Sequence, residues 1–183
     1  IDGQKMESKL LNENEKEVTS AIANKMIKNL EEDKEYWLDY ESNARFYVAA
    51  NNEEPVIPEY DFEKVSKTLA EIDEKILKLK HALKLHNATS EVQVGDELMT
   101  IDMILVRMAQ LNRRKSTLDV MRKALPKTRV ESSGYGKNAV PEYRYINFDQ
   151  DAVKAEYEAI SNEILALQLA LDTHNQTQKF VVE

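Results

Sequence analysis

Two histidines lie at matching positions of two similar segments, and a pair of imidazoles could do chemistry. His86 lies in LKLHNATSEVQV (Leu83 to Val94), and His174 lies in LDTHNQTQKFVV (Leu171 to Val182). Two imidazoles with a carboxylate can bind zinc or iron, so both are candidate metal ligands. No HExxH and no ExxH pair accompanies them. We therefore favour histidines that end the apolar face of a helix, where they suit the helix dipole, and we predict no metal and no cofactor.

Basic residues form the second group that could do chemistry. Between residues 105 and 129 there are eight Lys and Arg against a single acid, Asp119. Three of them fall on one stripe of a predicted helix over 100–125: Arg107, Arg114 and Arg122. Tyrosines follow in the sequence: Tyr135, Tyr143 and Tyr145. Cations beside aromatic rings can bind phosphates and stack bases, which makes the three arginines nucleic-acid candidates. Because no nucleic-acid motif accompanies them, we favour pairing with acids of the first and second predicted helices or of another subunit.

Apolar residues outside the main helical seam form the third group. In ISNEILALQLAL (residues 160–171), Leu165 and Leu169 lie outside the seam. Burying a leucine contributes roughly 1.5–3 kcal/mol, so leaving both in water forgoes much stability. Leu165 and Leu169 are therefore candidate oligomer-interface residues, and a homo-oligomer is the favoured partner, with another protein as an alternative. The competing interpretation is that this helix is central in its own bundle.

The amino-acid composition limits the class of protein in which these groups occur. Hydrophobic residues at 42%, charged residues at 32% and only 4 glycines are typical of a helix-rich domain, and 183 residues fit one domain over 1–183. The net charge of −8 disfavours a general affinity for nucleic acid or membrane surfaces. There is no cysteine, no membrane-length apolar run and no signal-peptide layout, so a cytoplasmic location without a membrane partner is expected. No phosphate loop, GxGxxG or GxSxG occurs, so we predict no enzyme and no catalytic residue.

A long N-terminal helix is predicted within residues 1–50, running from Glu7 to Val48. Apolar residues recur there at helical spacing: Val18, Ile22, Met26, Leu30, Trp37 and Ala44. Pro55 and Pro58 then exclude further helix.

The remaining core, 56–183, contains an apparent internal duplication of residues 60–94 and 148–182. In each unit, apolar residues step alternately by four and three over about three heptads, which is typical of a coiled-coil seam. Asp61 and Asp149 occupy N-cap positions, and Asn87 and Asn175 are predicted to end the helices with positive φ. Each unit then leads into a β-prone stretch, so the duplicated element is a helix followed by a strand.

Short strands are predicted wherever a helix ends. VQVGDELMT contains a tight turn at Gly95-Asp96, and two further strands flank a loop with its tip at residues 132–137. Between them, a third helix is predicted from Thr100 to Leu125, with Thr100 or Asp102 as its N-terminal cap and Pro126 as its end. The predicted fold class is mainly α: an antiparallel helical bundle, or coiled-coil hairpins, with small β-hairpins at the helix ends.

Several stretches resemble a family of small bacterial helical proteins of uncharacterised function, some of them described as septicolysin-like. The resemblance covers about residues 40–183 and includes EEPVIPEYDF, the stretch from LKHALKLHNATSEVQVGDELMT to RKALPKTRV, PEYRYINFD and LALQLALDTHNQT. It implies a helical bundle of cytoplasmic bacterial type and transfers no catalytic residue. No membrane-inserting amphipathic hairpin is recognised, so the haemolysin-like label gains no support from the residues.

Together these features predict a self-associating structural or protein-interaction module. The alternative is nucleic-acid binding through the Arg-rich helix 100–125. A metal-dependent activity at His86 and His174 is the third hypothesis.

Overall fold

The computed structural model describes residues 17–131 and 140–183. In these residues four helices alternate with short antiparallel strands, which confirms a mainly α fold with small β-hairpins. The elements are β1 (Glu17–Thr19), α1 (Ser20–Ala44), α2 (Phe62–Thr89), β2 (Glu91–Val94), β3 (Glu97–Thr100), α3 (Ile101–Lys123), β4 (Lys127–Val130), β5 (Glu142–Tyr145), α4 (Gln150–Thr177) and β6 (Lys179–Val181). Among the described helices, none combines the length and apolar character that crossing a membrane requires.

Two compact units make up the chain. The first unit comprises Ile1–Ser90 with Asp172–Glu183, and the second unit comprises Glu91–Leu171. Helix α4 therefore contributes its last residues to the first unit and the rest to the second. The single domain over 1–183 stays a prediction.

The first helix is shorter than predicted, and a strand precedes it. Thr19 accepts a hydrogen bond from the Ile22 backbone N–H at 3.2 Å and so caps α1 at its N-terminus. Immediately before this cap, β1 pairs with β6, with Val18 opposite Phe180. The helix predicted from Glu7 to Val48 is thus wrong at residues 17–19 and beyond Ala44, and residues 7–16 lie outside the described chain. Val18 is buried, as its apolar character predicts, but in a strand.

The apolar face predicted for α1 is half-buried at Met26, Leu30, Trp37 and Ala44, but the prediction is wrong at Ile22. Ile22 is 50% exposed, whereas Ala23 and Ile27 are buried. The helix begins at its Thr19 cap, and its seam steps by seven residues from Ala23 to Leu30, Trp37 and Ala44. A stripe counted from Val18 across a strand therefore places Ile22, rather than Ala23, on the seam.

Helix α2 buries one residue in every seven. Its N-cap Asp61 accepts from the Lys64 N–H at 3.1 Å. The fully buried positions are Val65, Ile72, Leu79 and His86, while the alternate seam positions are half-buried: Leu69, Ile76 and Leu83. This is the spacing expected when one helix packs along a single partner, and α1 is that partner in the first unit.

The predicted helix ends at Asn87 and Asn175 are wrong. Both helices continue for two more residues, to Thr89 and Thr177. No described residue other than Gly95 has a positive φ. The Thr89 and Thr177 hydroxyls donate to the carbonyls four residues earlier, as threonines within a helix do.

The second unit is built around α3 and the greater part of α4. Thr100 caps α3 by accepting from the Met103 N–H at 3.4 Å, as predicted. The two helices contribute a common core: Ile101, Ile104, Leu111, Leu118, Val153, Ile160, Leu167 and Leu171. Most of these residues again recur at intervals of seven, so the second unit uses the same packing scheme as the first.

Two hairpins complete the second unit. Strands β2 and β3 join through Gly95-Asp96, as predicted, and Gly95 has a φ of 58°. A glycine with positive φ at the first position of a two-residue loop matches the twist of the flanking strands. Strands β4 and β5 pair over four residues, also as predicted. The predicted loop tip at residues 132–137, with Tyr135, lies outside the described residues.

Truncating Leu118 should cost much more stability than truncating a neighbour on the same helix. Leu118 is 0% exposed in the core of the second unit, so Leu118→Ala removes buried methyl groups and leaves a cavity. We expect a loss of about 2–5 kcal/mol in the free energy of unfolding, measured by urea denaturation followed by far-ultraviolet circular dichroism. Val120→Ala is the control, because Val120 is 72% exposed and its truncation should change stability by less than about 0.5 kcal/mol. Equal losses in the two variants would contradict the assigned core.

Candidate functional site

The two predicted histidines do come together. His86 lies in the last turn of α2 and His174 in the last turn of α4, both within the first unit. Their Nε2 atoms are 2.9 Å apart, and the side chains are only 9% and 8% exposed. The rings are stacked, with centroids 5.0 Å apart. A buried imidazole pair therefore occupies the site that the repeated sequence indicates.

Neighbouring residues fix both the position and the hydrogen bonding of the pair. Phe180 of β6 stacks on His86 with a centroid separation of 4.5 Å, and β6 is itself paired with β1. The Ser90 hydroxyl lies 3.0 Å from Nδ1 of His86. At an Nε2–Nε2 distance of 2.9 Å, one imidazole donates its N–H and the other accepts through its lone pair. The pair thus holds one proton between two rings, and a proton on both Nε2 atoms would break the bond.

The surroundings disfavour a positive charge on either ring. Burial lowers the pKa of His86 below its ordinary value of 6.5, and the nearby His174 lowers that pKa further. Burial likewise lowers the pKa of His174. At neutral pH the neutral, hydrogen-bonded form of the pair is therefore the stable one.

A shallow cavity of about 380 Å³ opens beside His86. Its titratable lining residues are Lys78, His81 and Glu183, and Phe180 covers one side. Within residues 17–131 and 140–183, no group of three or more His, Asp or Glu is arranged to hold a metal ion. His86 and His174 would supply two ligands of a zinc site that needs four. A metal site at His86 and His174 stays a hypothesis.

Acid should destabilise the protein through this histidine pair. Because folding lowers both pKa values, the unfolded chain binds more protons below pH 6.5, so the stability is complete above that pH and is lost as the pH falls. Each extra proton adds at most about 1.4 kcal/mol per pH unit to the slope. We expect the double variant His86→Gln/His174→Gln to lose stability less steeply than the wild type between about pH 7.5 and 5. Urea denaturation at a series of pH values measures the slope.

The chain contains a matched control for this experiment. His81 is the remaining one of the three histidines in the sequence, and its side chain is exposed on α2. Carboxylates elsewhere contribute equally to all three proteins, so the double variant should also show a shallower slope than His81→Gln. A double variant with the same slope as the wild type would show that the pair does not titrate on unfolding.

The predicted arginine stripe exists, and acids already occupy it. Arg107 forms two hydrogen bonds with Glu163, at 2.9 and 3.2 Å. Arg114 lies 3.4 Å from Glu156. Both acids belong to α4, not to the first and second helices as our favoured alternative held. The reason is that α3 packs its core face directly against α4, which places these acids beside the arginines.

Arg122 makes a different set of contacts. It lies 2.7 Å from Asp119 on its own helix, and its guanidinium carbon is 4.2 Å from the ring centroid of Tyr157. Hydrogen bonds from Lys123 and Arg122 lower the pKa of Asp119, and the hydrogen bond to Asp119 raises that of Arg122. The single acid of the basic segment is thus shared by two cations.

The two predicted interface leucines lie at the surface. Leu165 is 57% exposed and Leu169 is 59% exposed. The competing interpretation, a helix surrounded by its own bundle, is therefore not what the structure has at these positions. Leu167 and Leu171, on the seam, are the leucines that α4 buries.

Sequence reasoning missed the residues that complete the histidine site. Phe180 stacks on His86 and Ser90 bonds its Nδ1, yet neither stands out by type or spacing. Phe180 occupies the half-buried position of β6, the strand that the β-prone stretch after His174 predicts. What the sequence does not reveal is the pairing of β6 with β1, because the two strands are far apart in the chain.

Comparison of the chain with protein-family models, with curated proteins and with solved structures finds no match.

Proposed function

We propose that the chain is a self-associating structural or protein-interaction module, with a second copy of itself as its first partner. The observation that supports this most strongly is the exposure of Leu165 and Leu169 on a helix whose seam is already filled. An exposed apolar face of this kind is typical of a protein-binding surface. Another protein as partner is the alternative.

The charges of the second unit favour one side of its helix pair for contact. Arg107 pairs with Glu163, which makes one side of the α3–α4 pair charged. Leu105 and Leu165 each lie two residues away from these charges, about 200° around their helices, and so face the other side. Leu105 is 45% exposed. Together with Leu169 these leucines give that side an apolar surface, which a second copy can cover without burying the Arg107–Glu163 ion pair.

The connection between α1 and α2 offers a second apolar surface, in the first unit. Its most exposed large apolar residues are Phe46, Val48 and Val56, at 78%, 99% and 90%. The connection is held in place, because Tyr60 donates a hydrogen bond to Glu41, which raises the pKa of Tyr60 to about 12. Ordered apolar residues at a helix-hairpin tip support an interaction role for the protein.

The internal duplication and the coiled-coil character belong to the same proposal. Helices α2 and α4 are both 28 residues long, both bury residues at intervals of seven, and both lead into a strand. These similarities support duplication of residues 60–94 and 148–182. A cytoplasmic location and the relationship to the septicolysin-like family also remain proposals, supported by the residues described above.

The two alternatives have less support. Nucleic-acid binding through Arg107, Arg114 and Arg122 would require each guanidinium to leave a carboxylate that it already contacts. A metal-dependent activity at His86 and His174 would require the Nε2 atoms to give up their mutual hydrogen bond.

Light scattering on a size-exclusion column tests the proposal. The wild type should elute with a mass that is a multiple of 21.1 kDa. Leu165→Glu and Leu169→Glu should each lower that mass, because a carboxylate buried at the contact lacks a partner and costs several kcal/mol. Far-ultraviolet circular dichroism should show unchanged helix content.

Leu77→Glu is the matched control. Leu77 is 69% exposed on α2, in the first unit, and receives the same change of side chain. This variant should keep the wild-type mass. A monomeric wild type would overturn the proposal, as would an equal loss of mass in all three variants.

A further inference from the structure

The hairpin of β4 and β5 has a surface that includes neither the buried helix seam nor Leu165 and Leu169. In an antiparallel pair, residues directly opposite each other project on the same face. Lys127 is opposite Tyr145, and Arg129 is opposite Tyr143. One face of the hairpin therefore contains two cations and two aromatic rings; we call these four residues the ribbon face. The other face contains Thr128, Val130, Glu142 and Arg144.

The ribbon face is open to solvent. Tyr143 is 41% exposed and Tyr145 is 62% exposed, and the side chains of Lys127 and Arg129 are exposed as well. The Lys127 ammonium lies 4.2 Å from the Tyr143 ring centroid and 5.7 Å from that of Tyr145. At these distances a single ligand can contact the Lys127 ammonium and both tyrosine rings.

The cations of this face differ in their partners from Arg107 and Arg114 of α3. Within the described part of the chain, no carboxylate oxygen lies within 4.0 Å of a side-chain nitrogen of Lys127 or Arg129. Arg107 and Arg114, in contrast, are paired with glutamates. An anion can therefore bind the ribbon face without displacing an existing ion pair.

The hairpin is joined closely to the helices of the second unit. It begins four residues after α3 ends and is followed by α4 within five residues. The Ile146 N–H donates to the Pro126 carbonyl at 3.2 Å, and the Gln150 side chain donates to the Ala124 carbonyl. An isolated two-stranded hairpin is marginally stable, so this attachment is what holds the ribbon face in a defined position.

The arrangement of the four side chains identifies the ligand class. Residues two apart on a strand are about 6.7 Å apart, and neighbouring strands are about 4.8 Å apart. The tyrosines thus form one row along β5, and the cations form a parallel row along β4. A single strand of nucleic acid has the same layout, with bases in one row and phosphates in the other. Base stacking on tyrosine and ion pairing with phosphate can then occur together.

We propose that the ribbon face binds single-stranded nucleic acid. Two successive bases stack on Tyr143 and Tyr145, and the adjoining phosphates pair with Lys127 and Arg129. Lys127 moves from the ring to a phosphate as a base takes its place. The net charge of −8 disfavours a general attraction of a polyanion to the chain. This role goes beyond self-association and uses a different surface.

Fluorescence anisotropy with a labelled oligodeoxythymidine of about 16 nucleotides tests the proposal on the full chain at low salt. The wild type should bind, and the logarithm of its affinity should fall with the logarithm of salt concentration with a slope of about −1.4, for two phosphate contacts. Tyr143→Ala and Tyr145→Ala should each weaken binding roughly tenfold, whereas Tyr143→Phe should retain it because the ring remains. Lys127→Gln and Arg129→Gln should each reduce the slope by about 0.7.

Arg144→Gln is the matched control for charge, since Arg144 lies on the opposite face of the same hairpin. It should leave the salt slope unchanged. Absence of binding by the wild type at low salt would overturn the proposal. So would unchanged affinity in both Tyr→Ala variants, which would leave only general electrostatic attraction. Displacement of the oligonucleotide by an equal charge of polyglutamate would also overturn it, and would identify an acidic polypeptide as the ligand.

Discussion

Each described helix packs against a single partner helix along most of its length, and much of the structure follows from that constraint. A helix with one partner buries one stripe, so full burial recurs every seventh residue, as at Val65, Ile72 and Leu79. Other apolar side chains of the same helix remain in water, as Leu77 does. The core of each unit is consequently narrow, and the ion pairs and hydrogen bonds along its edges help to fix the register.

At the histidine pair, the buried stripes of α2 and α4 contain polar side chains instead of apolar ones. His86 and His174 occupy the seam position that follows Leu79 and Leu167 by seven residues. A lone imidazole there would leave a buried nitrogen without a partner, at a cost of about 1–3 kcal/mol. Two imidazoles satisfy each other, and Ser90 satisfies the outer nitrogen of His86. The arrangement therefore specifies which helix ends meet, since neither histidine is satisfied beside a leucine.

The sequence predicts those parts of the fold that depend on local signals. The Thr100 cap, the Gly95 turn and the seven-residue seam of α2 are all visible in residue type and spacing, and the matching histidines indicated the site. Two features depended on distant residues and were missed. Strand β1 forms because Val18 meets Phe180, and local periodicity instead extends the helix across it. The partners of Arg107 and Arg114 are set by the packing of α3 against α4, which composition alone does not reveal.

The pairing of β1 with β6 has a consequence for the order in which the protein is made. The second unit is continuous in sequence, Glu91–Leu171, so it is translated as one uninterrupted segment. The first unit contains Glu17–Thr19 and Lys179–Val181, with the entire second unit encoded between them. Closing so long a loop is slow, and it must wait for translation of residues 172–183. During synthesis α1 and α2 can therefore meet before the second unit is complete, whereas the histidine pair and the β1–β6 pairing form only after residues 172–183 are translated, which leaves Val18 and His86 without these partners until then.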